Sequence, residues 1–238
     1  MGSFRAMRKP LIALVVLAAL AALVVGGDYA AARLFESRVT TVLEQRYDLG
    51  ARPIVQVRDF PFLPHLLTGN FSAIDLAASD VQAEGIDAQR LEVHLHGVHV
   101  PRGVLLGGSG DVRVDRADGE VTLSEAEVNR LAAADLRGGT LSLEPDGVRL
   151  RVRVTVVGQA VEALITGRLA VNAGRLTFTP MKVEAAGLPS ASLGRIASLF
   201  TFAVPLERLP AGIQLQRVNT ERGALVVAGE AASLRLPG

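Results

Sequence analysis

The segment GVRLRVRVTV, residues 147–156, alternates strictly between aliphatic and polar side chains. A period of two is typical of a β-strand with one face in a core and the other in water. The turn sequence Pro145-Asp146-Gly147 leads into it, and residues 139–144 before that turn begin the same alternation. The pattern predicts an antiparallel hairpin with one aliphatic face and one strongly charged face.

The same alternation recurs along most of the chain. We predict further strands at residues 54–57, 72–79, 90–98, 110–114, 119–123, 161–171, 176–183, 213–216 and 224–227. About ten antiparallel strands with one solvated face make a sheet that must curl, and 24 glycines provide sites for kinks and bulges. Two short helices are predicted to cover the sheet, at residues 124–132, with Ser124 as the N-cap of a capping box, and at residues 192–202.

A longer helix is predicted before the strands, at residues 28–49. Its apolar side chains recur at spacings of three and four, opposite a charged face, which indicates a helix buried along one side. We therefore predict an α+β fold in which a strongly curved antiparallel β-sheet wraps around this long N-terminal helix, with short capping helices, in one domain of residues 28–238. The apolar stripe of the helix consists of Leu34 or Phe35, Val39, Val42, Leu43 and Tyr47.

The first 27 residues have the layout of an export signal. Arg5, Arg8 and Lys9 precede residues 11–25, which contain no polar side chain. A helix of these fifteen residues is about 22 Å long, short of the roughly 30 Å hydrocarbon core of a bilayer. Residues 1–27 are therefore expected to be a cleaved signal sequence or a membrane anchor. The domain is expected to lie outside the cytoplasm, in the cell envelope or periplasm, and to associate with the membrane.

The composition argues against several classes of function. Once the three basic residues of the leader are set aside, 22 basic and 24 acidic side chains remain, so the charge does not favour a nucleic-acid partner. The chain has no Cys, which excludes disulfides and cysteine-based metal sites. Aromatic residues make up 4%, so Val, Leu, Ala and Ile must supply most of the apolar surface.

Residues 59–67 interrupt the strands with two prolines and five large apolar side chains. Pro61 and Pro64 exclude a central strand and a continuous helix, which leaves an apolar loop or a single helical turn after Pro64. Two interpretations stay open: a loop folded back as a plug over the core, or a lipid-facing lip at the mouth of a cavity. The apolar residues concerned are Phe60, Phe62, Leu63, Leu66 and Leu67.

Motifs for catalysis are weak. His94, His96 and His99 resemble a metal-ligand set, and a metal-assisted hydrolase is one alternative, although Glu92 in the same row of the strand indicates a solvated face. The chain has no G-x-S-x-G and no G-x-x-x-x-G-K-S/T motif. We expect neither an enzyme nor a cofactor or metal site.

Four segments in this order resemble the actinobacterial LmeA-like proteins of the cell envelope. They are residues 59–69 (DFPFLPHLLTG), 91–98 (LEVHLHGV), 121–129 (VTLSEAEVN) and 209–229. The resemblance implies an extracytoplasmic, membrane-associated protein that binds phospholipid, with a β-sheet wrapped around a helix as in tubular lipid-binding proteins. It also implies a connection with envelope glycolipid or lipoglycan assembly. Asp59 stands where the resemblance leads us to expect Gly.

The expected function is therefore to bind phospholipid acyl chains in an apolar groove between the helix and the sheet. Phospholipid and the membrane surface are the expected partners, and nucleic acid is not. The alternative is a non-enzymatic envelope scaffold with a solid interior, which binds another protein through an apolar patch. The predicted lining residues are Phe35, Val39, Val42 and Leu43 on the helix, and Phe60, Phe62, Leu63, Leu66 and Leu67 as a lip.

Overall fold

The computed structural model describes residues 8–46, 48–49, 51–83, 85–105, 108–136, 138–156, 159–172, 175–185, 193–194, 197, 200, 202–204 and 213–237. Within the first helix, side chains are described from Ala21 onward, apart from those of Val42, Leu43, Gln45 and Arg46.

The described residues form helices and strands in the following order. They are α1 (Arg8–Arg46), β1 (Asp48–Leu49), β2 (Ile54–Val57), α2 (Phe62–Thr68), β3 (Asn70–Ala83), β4 (Ile86–His99), α3 (Arg102–Leu105), β5 (Asp111–Ser124), α4 (Glu125–Leu131), α5 (Ala133–Leu136), β6 (Thr140–Glu144), β7 (Gly147–Val156), β8 (Gln159–Asn172), β9 (Arg175–Ala185), β10 (Phe202–Val204), β11 (Ile213–Glu221) and β12 (Ala224–Pro237).

The helix α1 is uninterrupted over 39 residues. It joins the apolar run at 11–25 to most of the helix predicted at 28–49, and Gly26 and Gly27 lie inside it. The helix therefore continues without a break across the predicted end of the leader. Within the described part of the chain, no helix combines the length and the hydropathy that crossing a bilayer requires.

The strands form two antiparallel sheets, not the single sheet that was predicted. The first has the order β1-β3-β4-β5-β12-β11, with β2 also paired to β3, and the second has the order β10-β9-β8-β7-β6. The strands predicted at 110–114 and 119–123 are one strand, β5. The helix predicted at 192–202 lies mostly outside the described residues, and Phe202 begins β10. The predicted combination of an N-terminal helix with antiparallel sheet is confirmed.

The predicted N-cap of the helix α4 is confirmed at Ser124, whereas the Glu127 side chain bonds to Asp87 and Arg130 rather than completing the predicted capping box. The Ser124 hydroxyl accepts a hydrogen bond from the N–H of Glu127 at 3.1 Å. The carboxylate of Glu127 accepts from the N–H of Asp87 in β4 at 3.0 Å and pairs with Arg130. The hydrogen bond from the Arg130 guanidinium holds the pKa of Glu127 below its usual value. These contacts fix α4 to the beginning of β4.

A break in the alternation of side chains crosses four neighbouring strands of the first sheet. Ser72, Gly97, Asp115 and Ser233 occupy equivalent positions in β3, β4, β5 and β12, between residues that are paired. We call this row the register break; Gly97 and Ser233 have positive φ angles of 61° and 56° there. On either side of it the inward-facing residues are three apart instead of two, in the pairs Phe71 and Ile74, Leu95 and Val98, Val114 and Ala117, and Ala231 and Leu234.

Two apolar clusters share the inner face of the first sheet. In β5, Ala117 belongs to a cluster with α1 and α2, whereas Val121 and Leu123 on the same face contact a cluster with the second sheet and α4. Leu150 and Ile165 of the second sheet are fully buried in that second cluster. One half of the inner face is therefore covered by α1 and α2, and the other half by the second sheet.

The register break should be sensitive to an added methyl group. We expect Gly97→Ala to lower the free energy of unfolding by about 1–2 kcal/mol, because Ala is strained at positive φ and its Cβ would collide with the Asp115 side chain. Gly103→Ala is the control, because the nearest atom to its Cβ, the oxygen of Ser109, lies 3.8 Å away. Chemical denaturation of both variants measures the difference, and equal stabilities would contradict the strain at Gly97.

Candidate functional site

The apolar stripe of α1 packs on the half of the sheet next to α2. Ala31, Phe35 and Val39 contact the cluster there. The ring of Phe35 lies 5.5 Å from the rings of both Phe62 and Phe71, measured between centroids. The alternative stripe residue, Leu34, faces solvent. Three aromatic rings thus close the space between the helix and the sheet.

The carboxylate of Asp28 anchors the second helix to the first. Asp28 is 3% exposed and accepts hydrogen bonds from the backbone N–H groups of Phe62 at 2.7 Å and Leu63 at 2.8 Å. Pro61, which precedes α2, makes no side-chain cap. Asp28 therefore satisfies N–H groups that have no acceptor within α2 itself.

Further polar contacts join α1 to the edge strand β2. Glu36 accepts a hydrogen bond from the N–H of Val57 at 3.0 Å, and the Thr40 hydroxyl donates to the carbonyl of Pro53 at 3.4 Å. Asp28, Glu36 and Thr40 are spaced by eight and four residues, so they lie along one side of the helix. The helix thus presents an apolar stripe to the sheet and a polar stripe to β2 and α2.

The segment between β2 and β3 forms the short helix α2 and a loop before it. The helix begins after Pro61 and includes Pro64, so the prediction that Pro64 must precede any helical turn is wrong. Pro64 is the third helical residue, where its missing N–H would have had no acceptor within the helix. The Asp59 carboxylate accepts from the N–H of Ser72 at 2.9 Å. Asp59 therefore ties the loop to the register break.

A cleft of about 280 Å³ lies where α1 meets β2 and the loop before α2. Its lining includes Ala32, Val57 and Phe60, with Tyr29 and Arg33 on the α1 side. The guanidinium of Arg33 donates to the Tyr29 hydroxyl at 2.7 Å, which holds both side chains beside the cleft. The volume is just below the range of about 300–1,000 Å³ that is common for small-molecule pockets, so the cleft has room for part of a ligand such as a single narrow chain.

Large apolar side chains are exposed on α1, on the loop before α2 and on α2 itself. Phe60 is 69% exposed and Leu67 is 73% exposed, and Tyr29 and Leu63 are exposed with them. Leu63 and Leu67 are one turn apart on α2. We call these four residues the apolar tip. Tyr29 and Phe60 line one cleft, and Leu63 and Leu67 lie on the following helix, so the four together are a candidate contact surface.

The predicted lining residues separate into three groups. Four belong to the apolar cluster between α1 and the first sheet: Phe35, Val39, Phe62 and Leu66. Three are exposed at the apolar tip: Phe60, Leu63 and Leu67. Two lie in α1 with side chains outside the described residues: Val42 and Leu43. The plug interpretation thus fits part of the segment and the lip interpretation fits the rest, while a role in binding lipid stays a prediction.

Sequence reasoning missed the residues that hold the site together. Asp28 stands at the predicted end of the leader, and its partner Phe62 is 34 residues away. Glu36 belongs to the charged face of the predicted helix, although its carboxylate binds Val57. No local pattern distinguishes either residue from a solvated charge, so this signal is absent from the sequence.

The histidines of β4 do not converge on one point. Among the described residues, no group of three or more His, Asp or Glu side chains is arranged to hold a metal ion. The metal-assisted hydrolase alternative therefore has no set of metal ligands among the described residues. Each histidine contacts a different aspartate, in the pairs His94 with Asp75 at 2.8 Å, His96 with Asp118 at 2.9 Å and His99 with Asp115 at 3.2 Å.

The fold and the site together define a β-rich domain with a cleft between α1, β2 and the loop before α2, which both apolar and charged side chains line, an arrangement suited to an amphiphilic ligand. The sequence profile of the LmeA-like phospholipid-binding family matches residues 26–230. The chain belongs to this family, which confirms the resemblance seen in the sequence segments. No curated protein and no solved structure shows significant similarity to the chain.

Removal of the Asp28 carboxylate should loosen α2. We expect Asp28→Ala to lower the free energy of unfolding by about 1–3 kcal/mol, because two N–H groups lose their acceptor. Hydrogen exchange of the amides at 62–68 should increase more than elsewhere. Asp146→Ala, at an exposed turn, is the control. Unchanged exchange in α2 would show that Asp28 does not anchor it.

The pair of His94 and Asp75 should make stability depend on pH. The hydrogen bond to Asp75 holds the pKa of His94 above its usual value. Partial burial tends to raise the pKa of Asp75, but hydrogen bonds from His94 and Arg58 outweigh it, and the pKa lies below its usual value. The pair therefore stabilises the fold when Asp75 is ionised and His94 is protonated, fully so below about pH 6.5 and down to the range where Asp75 takes up a proton.

We accordingly expect His94→Gln to lower the free energy of unfolding at pH 6 and to have no such effect at pH 9. The contribution is lost as the pH rises through the raised pKa of His94. The His94 side chain is 48% exposed, so solvent screening limits the effect to less than about 1 kcal/mol. Denaturation of both proteins at the two pH values measures it. A difference that grows with pH would contradict the assignment.

Proposed function

We propose that this protein binds phospholipid acyl chains at the apolar tip and in the adjoining cleft, while it lies at a membrane surface outside the cytoplasm. The observation that carries the proposal is the exposure of Phe60, which lines the cleft, together with the exposure of Leu67 on α2. Membership of a phospholipid-binding family supports a lipid as the ligand. The role requires no catalytic group, so we propose a non-enzymatic protein.

The energy of burying hydrocarbon supports this ligand. Each acyl methylene that leaves water contributes about 0.8 kcal/mol, and the full burial of one large apolar side chain contributes about 1.5–3 kcal/mol. Contact of a few methylenes with the tip therefore supplies several kcal/mol before the cost of ordering the chain is subtracted. The tip has the apolar surface that such contact needs.

The position of the tip favours a membrane surface. Tyr29 follows Val25, the last residue of the apolar run, by four residues of one continuous helix, which is about 6 Å along its axis. Leu23, Val24 and Val25 are exposed on the same helix. With residues 1–27 retained as an anchor, the chain enters the domain from the membrane beside Tyr29 of the tip.

Deeper entry of an acyl chain requires a movement of α2. The ring of Phe62 lies between the helix and the sheet, 5.5 Å from Phe35 and 6.0 Å from Phe71. A chain that follows the predicted groove must displace this ring. We infer that the cleft receives the chain first and that α2, held by Asp28, moves outward. The register break would let the first sheet curve around the guest and α1.

The proposed binding would serve envelope glycolipid or lipoglycan assembly by carrying or presenting a lipid, as the family resemblance implies. The second candidate is a scaffold that binds another protein through the apolar tip. The closed packing of Phe35, Phe62 and Phe71 favours that alternative, because a protein partner needs the tip and no interior space.

Uptake of labelled phospholipid by the purified chain tests the proposal. We expect the double substitution of Phe60→Ser and Leu67→Ser to weaken uptake at least tenfold, since both side chains lose apolar contact with the ligand. The matched control is Met181→Ser with Leu131→Ser, two other exposed apolar side chains of the described chain. The control should bind like the parent.

Native mass spectrometry of the parent should show co-purified phospholipid. Absence of lipid together with absence of uptake would overturn the proposal and leave the scaffold alternative. Equal losses in both double variants would show that uptake follows general surface hydrophobicity and not the tip.

A further inference from the structure

A row of four residues, three of them basic, crosses the first sheet at the end where α2 leads into β3. We call it the basic row. Asn70, His99, Arg113 and Arg235 are direct neighbours across β3, β4, β5 and β12. Val112 and Val114 pack in the cluster with α1, so Arg113 between them points to the opposite, outer face. Both arginines are exposed there.

The two arginines lack the ion pairs that Arg90 and Arg116 of this sheet have. Arg90 and Arg116 each form an ion pair with a glutamate. Within the described part of the chain, Arg113 and Arg235 form no ion pair. They stand directly opposite each other on neighbouring strands. Like charges in directly opposed positions destabilise a sheet, so a bound anion would relieve a repulsion that the protein leaves in place.

The row borders a second cleft, of about 330 Å³. His99, Arg113, Arg235 and Ser233 contribute to its lining, together with one acidic residue, Asp115. The carboxylate of Asp115 already contacts His99 at 3.2 Å. Two guanidinium groups therefore face the cleft with a single, already engaged carboxylate. Guanidinium forks match the paired oxygens of a phosphate group.

This cleft belongs to the same end of the fold as the apolar tip. Gly69, the C-cap of α2, accepts a hydrogen bond from the N–H of Val100 at 2.7 Å, which joins the end of α2 to the end of β4 at His99. Leu67 of the tip is three residues before Asn70 of the row. A phospholipid carries a phosphate next to its acyl chains, and the protein has the basic row on the outer face of the sheet end to which α2 is joined.

We propose that Arg113 and Arg235, with His99 beside them, form a phosphate site that receives the head group of the phospholipid whose chains contact the apolar tip. This inference rests on the function proposed above. The chemistry shared by all candidates is a phosphate group, which a lipid head group or free phosphate can supply. The short connection to α2 favours the head group.

The experiment compares two lipids with the same acyl chains in the purified full chain. Fluorescent phosphatidylglycerol carries a phosphate and fluorescent diacylglycerol does not. We expect Arg113→Gln with Arg235→Gln to weaken binding of phosphatidylglycerol about tenfold and to leave binding of diacylglycerol unchanged, because only charge-assisted hydrogen bonds are lost. The midpoint temperature of thermal unfolding should not fall, because the substitutions remove a repulsion between two arginines.

The matched control removes two arginines from the second sheet, Arg153→Gln with Arg168→Gln, and should bind both lipids like the parent. Equal weakening of both lipids by the Arg113 and Arg235 variant, or equal effects of the two double variants, would overturn the site. Titration with inorganic phosphate separates the two sources. Phosphate binding that depends on these arginines, with phosphatidylglycerol unaffected, would overturn the head-group assignment.

The same arms separate this inference from the proposed function. If the parent binds neither lipid, the proposed function fails, and arginine-dependent binding of inorganic phosphate would then identify an anion site without a lipid. If the parent binds both lipids and the arginine variant binds them equally well, the proposed function stands and the phosphate site is wrong.

Discussion

The buried carboxylate of Asp28 is the interaction on which the arrangement of the site depends. It joins two elements that are far apart in the sequence, and it does so where α2 has no side-chain cap of its own. Removal of the acceptor would leave one buried and one partly buried N–H group without a partner, and an unpaired buried group costs more than its hydrogen bond contributes when made. With α2 fixed in this way, Phe62 faces the core and Phe60 and Leu67 face outward.

The division of the inner face of the first sheet limits where a ligand can be received. The second sheet covers one half of that face with fully buried side chains such as Leu150 and Ile165. The other half is covered by α1 through small and medium side chains and by the three stacked or tilted rings. The short helix α2, with seven residues, is held there by Asp28, by the ring of Phe62 and by the hydrogen bond between Gly69 and Val100. The proposed entry at the α2 end displaces one short helix, whereas entry between the two sheets would separate fully buried strands.

Much of the secondary structure could be predicted from the sequence, because alternation and capping are local. The strand β7 and the N-cap at Ser124 follow directly from the residues. The division into two sheets could not be predicted, since an aliphatic face shows the same period whether a helix or another sheet covers it. The register break changes the spacing of buried residues from two to three, and for this reason β5 was predicted as two strands. At the site, Phe60 and Phe62 are the same residue type two positions apart, so the sequence does not tell which of them is buried. In the structure, the N–H of Phe62 bonds to Asp28 and its ring is buried, whereas Phe60 is exposed.

The register break also relates the two parts of the proposed ligand site to each other. On one side, Ser72 donates to Asp59 and so holds the loop that carries Phe60. On the other side, Asp115 and Ser233 line the cleft beside the basic row. A strand with uninterrupted alternation would turn every side chain of one half to the opposite face, and either the apolar cluster under α1 or the outward direction of Arg113 would be lost. The three-residue spacing preserves both, so one irregularity of the backbone accounts for an apolar inner face and a basic outer face at the same end of the sheet.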